Sequence, residues 1–202
     1  MTVTAVRKAP QRLTLTVEAE FDASVERIWQ LWADPRQLER WWGPPTYPAT
    51  FTKHDLAPGS RIEYHMTGPA GEQPHGYWDV LEVEPPHRIL LRGGCANADG
   101  TPNTDMPIST ILVEIEAVAQ GRTRMTIENV FPSTEAMEQV LAMGTEEGQS
   151  QAVGQIDAIL AEETSSASVL RLKFAEDIWR ENRGSLLRFS STRMAWGCRS
   201  RP

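Results

Sequence analysis

The sequence contains no apolar stretch that approaches the roughly 20 residues of a membrane-spanning helix. Its opening stretch, MTVTAVRKAPQRLTLTV, also lacks the apolar segment and the cleavage pattern of a secretory signal. Cysteine is scarce, and Cys95 and Cys198 show neither metal-ligand nor Cys-x-x-Cys spacing. These absences argue against membrane insertion and favour a reduced, cytoplasmic setting.

Positive charge is also in short supply. The chain has 20 Lys and Arg residues against 27 Asp and Glu residues, a net charge of −7. Domains that bind nucleic acid normally present a basic face, so we expect no nucleic-acid partner. Apolar residues make up 40% of the 202 residues, which is enough for one buried core.

The charge is distributed unevenly between two parts of the chain. Residues 165–202 contain seven arginines and one lysine against three acidic residues, a net charge of +5, which leaves −12 for the first 164 residues. The change follows the small-residue stretch TSSAS, and such shifts in composition mark domain boundaries. We therefore predict a domain over residues 1–163. Residues 164–202 would be a basic, Ser- and Arg-rich extension, partly helical or disordered, and either functional or accidental in origin.

The apolar pattern predicts an α+β fold that begins with one strand and two short helices. Residues 13–20 alternate between apolar and polar side chains, as in a half-buried strand. Two short helical patterns follow, the first capped by Asp22 or Ser24 and the second by Asp34.

The rest of the domain is predicted as antiparallel strands and one long helix. Strand and turn patterns fill residues 47–131, with an irregular connection over 93–107. No proline interrupts residues 134–163, which would form a helix of about 45 Å at ~1.5 Å per residue. Only this helix is long enough to cover the apolar face of the sheet. A curved sheet around one helix need not close tightly, so we expect a cavity between them.

Two adjacent tryptophans, Trp41 and Trp42, precede a turn at Gly43. Neighbours on a helix point about 100° apart, so both indoles cannot enter one pocket by the same route. Either one fills the core while the other lines the cavity, or both are structural.

The predicted inner faces are apolar with a few polar members, which is typical of small-molecule sites. Methionines adapt to irregular apolar ligands, although the same pattern also fits an ordinary core. Gly144 lies one helical turn from Gly148, which indicates either close packing or deliberate space. The candidate ligand-binding residues are Trp32, Trp41, Trp42, Tyr64, Met66, Trp78, Met125, Ile127, Asn129, Met137, Leu141 and Gly144.

Three polar residues are candidates for acid–base or oxyanion chemistry: Tyr64, Asp79 and Asn129. Simple alternation in GYWDVLEVE places Asp79 on the inner face, whereas a bulge or a strand end would expose it and turn Trp78 inward. We favour the exposed arrangement. The four histidines lack metal-binding spacing, and no nucleophile, P-loop or dinucleotide motif occurs, so we predict neither a metal nor a cofactor.

Three stretches resemble a known family: FDASVERIWQLWADPRQLERWWGP, DLAPGSRIEYHMTGPAGEQPHGYWDVLEVEPPHRIL and MGTEEGQSQAVGQIDAILAE. Over roughly residues 10–163 the sequence is similar to bacterial AHSA-type proteins of the START/SRPBCC superfamily. They are named after the C-terminal domain of an activator of a heat-shock-protein ATPase. The resemblance implies a helix-grip fold, in which a curved sheet wraps around the C-terminal helix above a deep hydrophobic cavity. Many relatives carry Trp directly after the glycine that matches Gly148, where this chain has Gln149.

The residues and the resemblance together predict that an apolar or aromatic small molecule binds in the cavity. The protein would act as a carrier, a sensor or an accessory protein. One alternative is a cyclase, dehydratase or hydrolase that acts in the same cavity. Another is an accessory factor that binds a chaperone ATPase or a second copy of the chain.

Overall fold

The computed structural model describes residues 3–163, together with residues 165 and 173. The chain divides into two units, Met1–Leu160 and Ala161–Pro202. The predicted basic extension lies almost entirely outside the described residues, and its boundary after residue 163 stays a prediction. In the described part, no helix is both long enough and apolar enough to cross a membrane.

Eight antiparallel strands form one sheet in the described residues. They are β1 (Val3–Ala9), β2 (Thr14–Phe21), β3 (Ala49–Lys53), β4 (Arg61–Met66), β5 (His75–Glu84), β6 (Arg88–Ala96), β7 (Ser109–Ala117) and β8 (Thr123–Val130). Their order in the sheet is β1-β2-β8-β7-β6-β5-β4-β3. The predicted α+β class is confirmed, since helices follow both β2 and β8.

Two strands differ from the sequence prediction. The sequence pattern predicts no strand before residue 13, whereas β1 pairs with β2 at the edge of the sheet. The irregular connection predicted from residue 93 is wrong at its start, because β6 continues to Ala96. A Cβ on Gly93 would lie 2.0 Å from the carbonyl oxygen of Tyr77 on β5. Glycine is therefore present here for a close approach between strands and does not signal a turn.

Two short helices follow β2, as predicted. In α1 (Val25–Ala33), the N-cap is Ser24, whose side chain accepts a hydrogen bond from the N–H of Arg27. In α2 (Pro35–Leu38), Asp34 caps the helix and accepts from the N–H of Arg36 at 2.8 Å. Each cap satisfies an N–H that the first turn leaves without a helical partner.

The C-terminal helix is broken, which corrects the prediction of one uninterrupted segment. Its parts are α3 (Thr134–Ala142), α4 (Thr145–Gly154) and a helical stretch over 156–163. Gly144 joins the first two with a φ of 80°, a conformation that favours glycine. The hydroxyl of Thr145 donates to the carbonyl oxygen of Val140 at 2.8 Å and so satisfies one acceptor at the end of α3. A left-handed glycine thus ends one helix and begins the next without a proline.

The hydrophobic core lies on one face of the sheet beneath two separate helices. α1 contacts β7 and β8, and its Ile28, Leu31 and Trp32 are fully buried. α4 instead contacts β1 and β2. A smaller cluster joins Met137 of α3 to Leu15 and Phe131. The helices therefore cover different strands of the same sheet.

A half-buried histidine beside α1 predicts a pH-dependent stability. The Nε2 atom of His54 lies 3.1 Å from the carbonyl oxygen of Trp32. Burial lowers the pKa of His54, against smaller opposing effects from that hydrogen bond, Asp55 and Asp34. The folded protein therefore favours the neutral imidazole ring of His54. As the pH falls below about 6.5, the unfolded chain binds a proton on this ring more readily than the folded protein does.

We therefore expect the free energy of unfolding to decrease between pH 7 and pH 5. Replacing His54 with glutamine should reduce this decrease, because glutamine does not titrate and its amide N–H can still donate to Trp32. Urea denaturation of both proteins at the two pH values measures the effect. The same pH dependence in both proteins would contradict the role assigned to His54.

Candidate ligand-binding cavity

A cavity of about 400 Å³ lies between the inner face of the sheet and the C-terminal helices. Strands β4 to β8 contribute Tyr64, Met66, His75, Gly76, Trp78, Gly93, Gly94, Cys95, Ser109, Ile111 and Asn129. The helices and the junction between them contribute Val140, Met143, Gly144, Thr145, Gly148, Gln149 and Ala152. Loops contribute Trp42, Gly43, Pro44, Tyr47, Pro74, Met106, Pro107 and Phe131. The volume falls within the range of about 300–1,000 Å³ typical of small-molecule pockets.

The cavity wall has few ionisable groups. Among the described residues that line it, none is Asp, Glu, Lys or Arg, and His75 is the only histidine. A charged group that entered this space would lose its hydration and would meet no carboxylate, ammonium or guanidinium group, which is strongly unfavourable. The lining therefore favours neutral, mainly apolar guests.

The two adjacent tryptophans lie in different environments. Trp41 is fully buried, and its Nε1 donates to the carbonyl oxygen of Leu31 at 3.0 Å. Trp42 lines the cavity and packs edge-on against Trp78, with ring centroids 4.7 Å apart. The Nε2 of Gln155 donates to the carbonyl oxygens of Trp41 and Gly43, at 3.1 and 2.8 Å. These bonds tie the tryptophan segment to the end of α4 and fix the position of the Trp42 ring.

A buried amide pair crosses from the sheet to α4. Asn129 on β8 and Gln149 on α4 are only 5% and 8% exposed. The Nδ2 of Asn129 donates to the Oε1 of Gln149 at 2.9 Å and to the carbonyl oxygen of Leu15 at 3.4 Å. Both residues line the cavity, so the pair places polar atoms in a mainly apolar wall.

Tyr64, on β4, contributes a hydroxyl to the same lining. Burial raises the pKa of Tyr64 to about 12, while the nearby indole N–H of Trp42 opposes that rise. The phenol therefore stays protonated at neutral pH. The Nε1 of Trp42 is itself buried and has no partner with hydrogen-bonding geometry in the described structure.

A comparison with known protein families identifies a family that matches most of this chain. The family described as "Activator of Hsp90 ATPase homolog 1-like protein" matches residues 22–161. This chain belongs to the AHSA1 family. The fold is accordingly the helix-grip fold that the sequence resemblance implied.

Solved structures of bacterial AHSA1-like proteins are similar to this chain over most of their length. Protein Ms6760 from Mycobacterium smegmatis is 51% identical, with a TM-score of 0.73 over 78% of this chain and 96% of that one. A protein from Arthrobacter aurescens is 44% identical, with a TM-score of 0.76 over 80% and 93% of the two chains. The AHSA1 protein from Silicibacter pomeroyi, at 22% identity and a TM-score of 0.59 over 74% and 99%, shares the fold. No curated protein matches the chain.

The AHSA1-family structure divides the twelve predicted ligand-binding residues into two groups. Six of them line the cavity: Trp42, Tyr64, Met66, Trp78, Asn129 and Gly144. The other six do not line it: Trp32, Trp41, Met125 and Ile127 are buried in the main core, Met137 is in the smaller cluster, and Leu141 packs against that cluster. Met125 and Ile127 lie on β8, and α1 contacts this strand. Both side chains are therefore packed in the core and do not line the cavity. These six residues support the cavity walls.

Asp79 lies away from the cavity. The pairing of β5 with β6 shifts between Val80 and Glu82, and this bulge keeps Trp78 on the inner face. The carboxylate of Asp79 accepts from Arg61 at 2.8 Å and lies 3.6 Å from Arg92. Of the two sequence alternatives, the structure has the one with a bulge. Asp79 therefore belongs to an ion-pair network and is not placed for acid–base chemistry in the cavity.

Gln149 lines the cavity although it was not among the binding residues predicted from the sequence. A signal was present, since Gln149 lies three residues before Ala152 and seven before Ile156, both of which are buried. A polar residue at that helical spacing faces the core. Cys95 also lines the cavity, and burial raises the pKa of its thiol. Within the described residues, no three His, Cys, Asp or Glu side chains are grouped as metal ligands.

Proposed function

We propose that this AHSA1-family protein binds an apolar or aromatic small molecule in the cavity, as a carrier, a sensor or an accessory protein. The observation that carries the proposal is a cavity of about 400 Å³ bounded by indole, phenol and thioether groups, with no Asp, Glu, Lys or Arg among its described lining residues. Burial of apolar ligand surface would stabilise the complex by ~25 cal/mol per Å² before the entropic cost of association. The helix-grip fold of the family supports this function.

A cavity-filling variant tests the proposal directly. A Cβ on Gly148 would have only two atoms of Pro44 near it, both at 4.0 Å, and Gly148 lines the cavity. Gly148→Leu should therefore fill part of the binding space. Gly154→Leu is the matched control, because Gly154 is in the same helix, is exposed and has no atom within 4 Å of the place where a Cβ would lie. Both changes should raise helix stability by up to ~1 kcal/mol.

We expect N-phenyl-1-naphthylamine, a neutral dye that brightens in apolar surroundings, to bind the wild type and Gly154→Leu equally. Gly148→Leu should bind it at least about tenfold more weakly, since lost apolar contacts of ~1.4 kcal/mol correspond to that factor. Native mass spectrometry of the purified full-length chain should also detect a co-purifying small molecule. If the wild type neither binds the dye nor retains a ligand, the proposal fails.

A protein partner is the alternative that exposed apolar side chains favour. Met143 is 58% exposed at the junction of α3 and α4, and Ile108 is 44% exposed. The partner would be a chaperone ATPase, as the family description suggests, or a second copy of the chain. Ile108→Ser should abolish such a contact in sedimentation or pull-down experiments and leave dye binding intact, because Ile108 is not among the residues that line the cavity. An unchanged contact would remove this alternative.

A further inference from the structure

The buried amide pair has a fixed orientation that leaves donors unused. The carbonyl oxygen of Leu15 can only accept, so the Asn129 atom that faces it is the amide nitrogen. Because that nitrogen also bonds Gln149, the Gln149 atom it meets is the carbonyl oxygen, Oε1. The Nε2 of Gln149, with two N–H groups, then has no partner in the described structure. Gln149 is 8% exposed and lines the cavity, and its Nε2 atom remains accessible, so a guest in the cavity can reach it.

A second donor lies on the sheet. This donor is the hydroxyl of Tyr64. The indole N–H of Trp42 lies near it but can only donate, so it offers no acceptor to the Tyr64 O–H. The hydroxyl of Tyr64 has no other partner among the described residues, and Tyr64 lines the cavity. The cavity wall thus offers N–H and O–H groups whose partners are missing.

A ligand that fills the cavity removes water from these donors, so a ligand that supplies an acceptor gains more than one that does not. We propose that the ligand is a neutral, mainly aromatic or alicyclic molecule with a hydrogen-bond acceptor oxygen, such as a ketone or an ester, which accepts from Gln149 Nε2 with Tyr64 as a second donor. This inference rests on the proposed function and names the chemical class of its ligand.

The lining separates this class from related molecules. A carboxylate would also accept from Gln149, but the described lining has no Lys or Arg to balance its charge, and its only histidine is His75. A pure hydrocarbon would fill the same volume and leave the donors unsatisfied. The expected order of affinity is therefore ketone, then hydrocarbon, then carboxylate.

Three probes of nearly equal shape test this order. They are 2-acetylnaphthalene, 2-isopropylnaphthalene and 2-naphthoate, each measured by displacement of N-phenyl-1-naphthylamine from the full-length protein. We expect the wild type to bind the ketone about tenfold more tightly than the hydrocarbon, as one hydrogen bond to a buried donor allows. The carboxylate should be the weakest of the three.

Two variants locate the donors. Gln149→Leu should abolish or reverse the preference for the ketone, because the hydrocarbon is then the better match to an apolar wall. Tyr64→Phe removes only a hydroxyl and should reduce the preference about threefold. Tyr64→Phe also tests the inference if Gln149→Leu does not fold because the amide pair is lost. Gln149→Glu keeps an acceptor for Asn129 but removes the N–H donors, and it should disfavour the ketone at pH 8.

The outcomes separate this inference from the proposed function. Equal binding of ketone and hydrocarbon by the wild type, or a preference that both Gln149→Leu and Tyr64→Phe leave unchanged, would overturn the inference while the cavity remains a binding site. Tightest binding of 2-naphthoate would overturn it as well. If neither the dye nor any probe binds, both proposals are overturned.

Discussion

Replacing Trp32 with alanine is expected to lower the free energy of unfolding by about 3–5 kcal/mol, the range for truncating a large buried aromatic. Trp32 is 1% exposed and lies at the centre of a cluster of indoles. Its ring is 4.9 Å from that of Trp41, 5.9 Å from Trp42 and 6.3 Å from Trp78. Its Nε1 donates to the sulfur of Met125 at 3.2 Å. Truncation would leave a large void that these rings cannot fill.

Urea denaturation of the wild type, Trp32→Ala and Trp32→Phe measures the effect. The phenylalanine variant keeps a ring in the same space, so it should lose less than half as much stability. A loss below about 1 kcal/mol for Trp32→Ala would mean that the indole cluster is loosely packed and would contradict the core described above.

Replacing Gly93 with alanine is expected to destabilise the protein by about 1–3 kcal/mol or more, as overpacked sites do. The added Cβ would lie 2.0 Å from the carbonyl oxygen of Tyr77 and 2.7 Å from the Cδ1 of Trp78. The first of these atoms belongs to the backbone, so β5 and β6 would have to separate. Because Trp78 lines the cavity, dye binding should weaken as well.

Gly148→Ala is the control for this substitution. Gly148 is in a helix with space around its Cβ position, so alanine there should stabilise the protein by up to ~1 kcal/mol. Thermal unfolding compares the two variants. A Gly93→Ala variant as stable as the wild type would show that the two strands can move apart at little cost.

Local patterns predicted the parts of the fold that local forces determine. Ser24 and Asp34 were recognisable as caps because a side-chain oxygen before a helical pattern satisfies its first N–H groups. Which side chains of β5 face inward depends on a bulge, and the sequence is compatible with this bulge but does not require it. The break at Gly144 was not predictable in the same way, since glycine also occurs inside helices and its φ of 80° depends on how the chain packs.

The candidate site was harder to predict than the fold because it depends on which helix covers which strand. Met125, Ile127 and Asn129 share one face of β8, yet the first two are packed in the core and Asn129 lines the cavity. The alternation of side chains along a strand shows which residues share a face of the sheet. It does not show which helix packs on that face. Gln149 was missed for a related reason, since its partner on β8 lies 20 residues away along the chain.

The indole cluster also determines how the protein responds to light. Neighbouring rings among Trp32, Trp41, Trp42 and Trp78 have centroids 4.7 to 6.3 Å apart. Chromophores at such separations exchange excitation energy before they emit, so a photon absorbed in the interior can be quenched at Trp42. We expect a guest that touches Trp42 or Trp78 to change the emission of the whole group. Such a change would report that the cavity is occupied, but it would not identify the ring that the guest touches.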